Sequence, residues 1–228
     1  MFIGHYVAGL AAKRVAPVSL GLLFLAVQFL DLLWPTFLLL NIEQATINPQ
    51  PNATVPLLFT YYPYSHSLVK AIVWSLLFGV IYWFFKRNTR NAIILGLCVF
   101  SHWILDLIVH LPDLPLSLGN NAPKAGLQLW NYPVVENIVE GAIFIIGLLL
   151  YLRSTKAKNK VGLYGFWGLV LLLILVHLAN IFSPPPTSIH AVAWGAQGLW
   201  LFVLLAFWVD KNRTSEWKAI EQQSLYAS

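Results

Sequence analysis

Six long apolar runs, separated by polar or proline-rich breaks, set the pattern of this chain. They cover about residues 17–40, 66–86, 91–111, 134–153, 162–182 and 189–209. Each approaches the roughly 20 residues a helix needs to cross hydrocarbon, so each predicts a membrane-spanning helix. A shorter apolar segment, residues 2–14, precedes them and ends on Lys13 and Arg14. It predicts a re-entrant or interfacial helix, or a short tilted seventh span. The expected fold is all-α and polytopic: a single transmembrane helical domain over residues 1–228, with a polar tail from about 211 to 228.

The breaks carry further detail. Pro35 stands four residues after Asp31. A proline there removes the bond that the Asp31 carbonyl would accept, and it predicts a kink at that point. Ser65 is the expected N-cap of the second span. The cations cluster on alternate connections: Lys13 and Arg14, Lys86 to Arg90, Arg153 to Lys160, and Lys211 with Arg213. The other connections hold little but Lys124. The positive-inside rule then puts the basic side and the tail in the cytoplasm, and it turns the loops 42–63 and 112–131 outward.

Composition agrees with a membrane protein. Only 10% of residues are charged, where soluble domains run near a quarter. The net charge of +5 sits mainly in turns, so it orients the protein in the bilayer and does not imply nucleic acid. One cysteine, Cys98, excludes a disulfide framework and a cysteine-based zinc site. The N-terminus lacks a basic region ahead of an apolar core with a small-residue cleavage site, so no cleavable leader is expected.

The third run contains the chemistry. His102, Asp106 and His110 recur every four residues. Steps of four on a helix drift only about 40°, so all three are expected on one stripe. Ionisable groups at membrane depth are costly unless they face a partner, a cavity or an ion. Imidazole and carboxylate one turn apart are a standard way to present two ligands to a metal. Helical rise puts His5, Asp31, His66 and Glu140 at similar depth, toward the side away from the cations. His5, Asp31, His66, His102 and Asp106 are therefore the candidate metal ligands, with Glu140 and His110 as candidate proton-handling groups. Glu136 is expected to be solvated, and His177 with Asn180 to be interhelical polar contacts. Asn52 and Asn212 begin glycosylation-type triplets.

Four motifs in chain order carry a resemblance: Gly4-His5, Leu30-Asp31, Ser65-His66-Ser67, and Ser101-His102 with Asp106. Together they resemble the family of predicted membrane-bound metal-dependent hydrolases, whose members include a LexA-regulated inner-membrane protein. The resemblance covers roughly residues 1–110. It implies a helical protein of the bacterial inner membrane with a metal held by His and Asp. Where family members often have Pro-Asp-x-Asp-His, this chain reads Leu30-Asp31-Leu32-Leu33-Trp34, and Tyr61 and Tyr62 replace a His-Arg pair. Fewer ligands favour one ion over two.

The expected function is a metal-dependent hydrolase acting from the outer side on a lipid or lipid-linked ester or phosphoester. Its expected partners are membrane lipids and that substrate. Mixed imidazole and carboxylate ligands suit zinc, with manganese or iron as alternatives. The rival reading is a transporter or proton relay using the same His, Asp and Glu cluster. A haem protein with paired histidines is a further rival, against which the Asp residues weigh.

Overall fold

The computed structural model describes residues 1–50 and 55–215. The Asn52 triplet and the tail beyond residue 215 lie outside the described residues. Among those described, the chain is an all-α membrane bundle with three two-stranded β-ribbons at its ends. Five helices are long and apolar enough to span: α5 (Leu68–Lys86), α6 (Thr89–Val109), α7 (Pro133–Ser154), α8 (Val161–Phe182), and the run Ile189–Lys211. That last run divides into α9 (Ile189–Ala196) and α10 (Leu199–Lys211). A sixth span is the broken pair α2 (Leu20–Val27) and α3 (Phe29–Leu39).

The first helix, α1 (Ile3–Ala12), is too short to cross. At 1.5 Å per residue it covers about 15 Å, half the hydrocarbon thickness. It lies inside the bundle rather than at the interface, packed on α2, α6 and α7, with Tyr6 and Leu10 fully buried. Its N-terminal end therefore stops at membrane depth, with His5 on it.

The kink of the first span is not at Pro35. α3 runs through that residue, and the 56° bend falls at Gln28, whose backbone (φ −101°, ψ 6°) leaves the helical region. The break ends α2 at Val27 and leaves that carbonyl among those without an intrahelical partner.

Helices α5 and α6 form a tight hairpin. A Cβ on Gly79 would come within 2.9 Å of the Ala92 carbonyl oxygen, and one on Gly96 within 2.9 Å of the Ser75 carbonyl oxygen. Small residues let the backbones approach this closely, as in membrane helix pairs generally. The outer face of α5, including Leu76, Val80 and Phe84, is exposed and wholly apolar, as hydrocarbon requires.

The cation-rich end is structured. Lys13 Nζ lies 2.6 Å from Asp210 Oδ1 and 2.8 Å from the Val18 carbonyl oxygen, tying α1 to α10. Arg213 is buried against the rings of Tyr151 and Phe166 and donates to Thr155 and to the Gly162 carbonyl. Strands β5 (Thr155–Ala157) and β6 (Arg213–Ser215) pair beside it. At the opposite end β1 (Gln44–Ile47) pairs antiparallel with β2 (Leu57–Tyr61), and β3 (Leu114–Pro115) pairs with β4 (Lys124–Ala125).

The Lys13–Asp210 side chains are only 4% and 10% exposed. Breaking a buried pair from one side strands a charge and costs about 3–5 kcal/mol. Lys13→Met should lower unfolding stability in detergent by that order. The double variant Lys13→Met with Asp210→Leu should recover most of it, which a denaturant titration of the three proteins checks.

Candidate metal centre

Five side chains from four segments converge in the half of the bundle away from the cations. α6 supplies His102 and Asp106, one turn apart on its buried face. α1 supplies His5 at its start, α3 supplies Asp31 in its first turn, and the short helix α4 (Pro63–His66) ends on His66. All but Asp31 are almost wholly buried. Asp31 keeps a side chain 27% exposed, so it is the open edge of the cluster.

The Nε2 atoms of all three histidines face the two carboxylates. His5 Nε2 is 3.0 Å from Asp106 Oδ1. His102 Nε2 is 3.2 Å from Asp106 Oδ2 and 3.6 Å from Asp31 Oδ1. His66 Nε2 is 3.4 Å from Asp31 Oδ1 and 3.7 Å from Asp106 Oδ2. Hydrogen bonds of this kind run about 2.7–3.2 Å, so the contacts of His66 and the one from His102 to Asp31 are too long to be hydrogen bonds. Instead His5 Nε2 and His102 Nε2 are buried with no hydrogen-bond partner. Two donors held about 2.1 Å from one tetrahedral ion stand roughly 3.4 Å apart. The observed separations bracket that value. The donor set, imidazole nitrogen and carboxylate oxygen, is the one zinc, manganese and iron accept.

Two of the histidines, His102 and His66, are oriented from behind. His102 Nδ1 is 2.7 Å from the Val27 carbonyl oxygen, the one exposed by the break at Gln28. A carbonyl only accepts, so Nδ1 carries the proton and Nε2 presents its lone pair to the centre. The rings of His5 and His102 stack in parallel, 3.6 Å between centroids. His66 Nδ1 is 2.7 Å from Ser65 Oγ, and Ser65 Oγ is 2.6 Å from Glu43 Oε2. Ser65 donates to the Glu43 carboxylate and accepts from His66 Nδ1–H, which again frees Nε2. Glu43 Oε1 accepts the backbone N–H groups of Tyr64 and Ser65, at 2.7 and 2.8 Å. Burial pushes the Glu43 carboxyl above its ordinary range, and the Ser65 hydrogen bonds oppose that shift. The Trp103 indole donates to the His66 carbonyl at 2.9 Å and locks α4 onto α6.

The remaining sequence candidates fall elsewhere. His110 is the C-cap of α6: its N–H still bonds the Asp106 carbonyl at 2.8 Å, and the chain leaves the helix after it with ψ 146°. Pro112 disfavours helical backbone at the residue before it, so the helix stops short. The His110 ring meets Asp113 at 2.9 Å through Nδ1 and packs against Trp130 and Phe59. Tyr62 lies between it and His66. Burial, with the Asp113 and Asp106 carboxylates nearby, holds the Tyr62 hydroxyl well above its ordinary range, so it stays a neutral donor. Glu140 faces the start of α1: its Oε1 accepts the N–H of Phe2 and, at 2.9 Å, the N–H of Gly4. It therefore positions His5. Glu136 is buried rather than solvated. Ser65 is not the cap of α5; Ser67 accepts the Lys70 N–H and fills that role.

A cavity of about 810 Å³ reaches the cluster. Asp31, Glu136, Glu140 and His177 line it together with apolar side chains of α8, α9 and α10. His110 is not among its lining residues.

Sequence reasoning did not identify Glu43, Ser65 or the Val27 carbonyl as supports of the ligands. Glu43 is the only acid between Asp31 and Asp106, and that isolation was its one signal. Its pairing with Ser65 depends on the β1–β2 hairpin folding back. Groups behind a ligating histidine are worth about 10–100-fold in metal affinity. Ser65→Ala and Glu43→Gln should each weaken zinc binding by that factor while leaving the helical spectrum unchanged, as a competition titration with a chromophoric chelator would read.

Comparison with family models, with curated proteins and with solved structures finds no match to this chain. The case for a metal centre stands on donor spacing, burial and ligand chemistry.

Proposed function

We propose that this protein is a metal-dependent membrane hydrolase acting on a lipid or lipid-linked ester or phosphoester. The observation that carries the reading is the set of His–Asp separations, 3.0 to 3.7 Å, in a buried cluster where His5 Nε2 and His102 Nε2 lack hydrogen-bond partners. His66, His102, Asp31 and Asp106 would hold the ion, with His5 on the far oxygen of Asp106. Zinc suits this donor set best, and manganese or iron also fits. The two possible donor groups, His5 with His102 and Asp106, and Asp31 with His66 and His102, share one nitrogen. A nitrogen has one lone pair, so the cluster is built for one ion.

When bound, such an ion polarises the scissile group and makes water a better nucleophile near neutral pH. The protein's own groups do the rest. Asp31 marks where substrate meets the cluster, because it is both a ligand and part of the cavity wall. Glu136 and Glu140 are the carboxylates beside that approach, so they are the groups placed to take and return a proton. His110, paired with Asp113 away from the cavity, has no part in this scheme. The surrounding apolar walls exclude bulk water, and the cavity's lipid-like lining favours an acyl substrate. The positive-inside rule turns the cation-rich end to the cytoplasm, and so opens the site to the outer side, as in a bacterial inner membrane. The four motifs resembling membrane-bound metal-dependent hydrolases supply all four of the segments that meet here and support the same reading.

One observation favours the rival transport reading: the span α2–α3 is broken at membrane depth beside an acid. That reading predicts gradient-driven flux and no tightly held metal. Against it, the titratable groups meet at one point rather than along a path.

Elemental analysis of detergent-purified protein decides between them. About one zinc, manganese or iron per chain is expected in wild type and none in His102→Ala, while His190→Ala on the exposed start of α9 retains it. With metal restored, hydrolysis of ester- and phosphoester-linked lipids in mixed micelles should fall to background in Asp106→Ala. A well-folded wild type purified without chelator that carries no metal would sink the hydrolase.

A further inference from the structure

The cavity beside the cluster has a chemistry of its own. Its apolar wall comes from Leu172, Val176, Val192, Leu199 and Phe202, and its polar end from Asp31, Glu136, Asn137, Glu140 and His177. Its size falls within the roughly 300–1,000 Å³ of small-molecule sites. At one edge Ile181 and Leu201 are exposed on faces that meet hydrocarbon, so the cavity is open toward the bilayer. An occupant can enter sideways with an acyl chain against the apolar wall.

The polar end selects the headgroup. No lysine or arginine is among the lining residues, whereas three carboxylates are. The Met1 amine on the lining is paired with Asp106. An anionic headgroup would find no cation of the protein there apart from that amine. Glu136 is 6% exposed, and its carboxyl hydrogen-bonds to that of Glu140 beside it. Glu140 also accepts the amides of Phe2 and Gly4, so Glu136 is the member of the pair placed to receive a further donor from the cavity. His177, 9% exposed, makes no hydrogen bond and stacks on Phe2, and the buried Trp34 indole N–H is without a partner. Phe2, Trp34 and Trp130 add aromatic faces to the same lining, which attract cations.

We propose that this cavity binds a long-chain lipid whose headgroup carries a protonated amine, with Glu136 receiving the ammonium and Trp34 donating to the neighbouring oxygen of the headgroup. The proposal names the substrate class of the hydrolase reading and rests on it for catalysis, but binding needs only the cavity.

The test is photolabelling of the full chain in maltoside micelles with dodecylamine carrying a terminal diazirine. Label is expected on peptides of α8 and α9, competed by dodecylamine and not by dodecanoate. Glu136→Gln should weaken it at least about tenfold, the loss expected for a buried charge-assisted contact. Equal competition by dodecanoate, or unchanged labelling of Glu136→Gln, overturns the proposal. Should Glu136→Gln fail to fold, Ala196→Trp fills the cavity from α9 and leaves the carboxylate intact; labelling that survives it also overturns the proposal. Repeating the measurement after chelator treatment separates the two readings. Retained labelling of a protein that never held metal leaves the amine site standing and removes the hydrolase. A metal-loaded protein without labelling does the reverse.

Discussion

Two carboxylates held among histidines at membrane depth are the constraint from which the rest of the structure follows. Asp31 and Asp106 cannot both stay ionised in a low-dielectric interior without a cation or donors to face them. Asp106 is nearly inaccessible and is paired with the Met1 amine, while the His66 and His102 nitrogens stand 3.7 and 3.2 Å from its second oxygen. An uncompensated arrangement of this kind would cost several kcal/mol for each charge. On the metal reading, an ion held by His66, His102, Asp31 and Asp106 would offset that cost and account for the four longer of the five contacts. Interhelical hydrogen bonding would account for the shortest of them and leave the longer ones unexplained.

Bringing these five side chains to one point requires helix ends inside the membrane, and each such end exposes backbone groups that hydrocarbon cannot satisfy. The bundle meets this with buried side chains that also steer the ligands. Glu140 accepts the first amides of α1, and His5 follows directly. The Val27 carbonyl, left over where α2 breaks, holds His102 in the useful tautomer. Glu43 caps the amides of α4 and, through Ser65, does the same for His66. The breaks and the ligands are thus parts of one arrangement. A bundle of unbroken helices would supply no spare carbonyl for His102 and would carry His5 past the centre.

Two apolar concavities among the described residues differ in kind. The groove between α5 and α6 is lined by Ile72, Leu76, Val80, Trp83 and Phe100 and carries hardly any polar surface, so it is a lipid-facing seam left by close glycine packing. The cavity walled by α7, α8 and α9 joins similar apolar surface to carboxylates, a histidine and the open edge of the metal cluster. Only the second brings chemistry and a hydrocarbon chain to one place. Tight anchoring at the far end, through Lys13 with Asp210 and Arg213 between Tyr151 and Phe166, keeps α1 and α10 in register with that cavity.

The sequence by itself determined the spans, because apolar runs of bilayer length have no other stable home, and the observed helices follow those runs to within a few residues. It also singled out His5, Asp31, His66, His102 and Asp106, since ionisable groups are conspicuous against an apolar background and helical rise sets their depth. Tertiary structure alone decided the rest. The bend lies at Gln28 and not at Pro35, where Val27 gives its carbonyl to His102 seventy-five residues away. His110, capping α6, turned to Asp113 rather than to the cluster. Glu140 turned to the backbone of α1, and Glu43 reached His66 across a hairpin. Local pattern fixes depth and helical face, but which backbone groups are left bare, and which side chain arrives to meet them, depends on contacts between segments far apart in the chain.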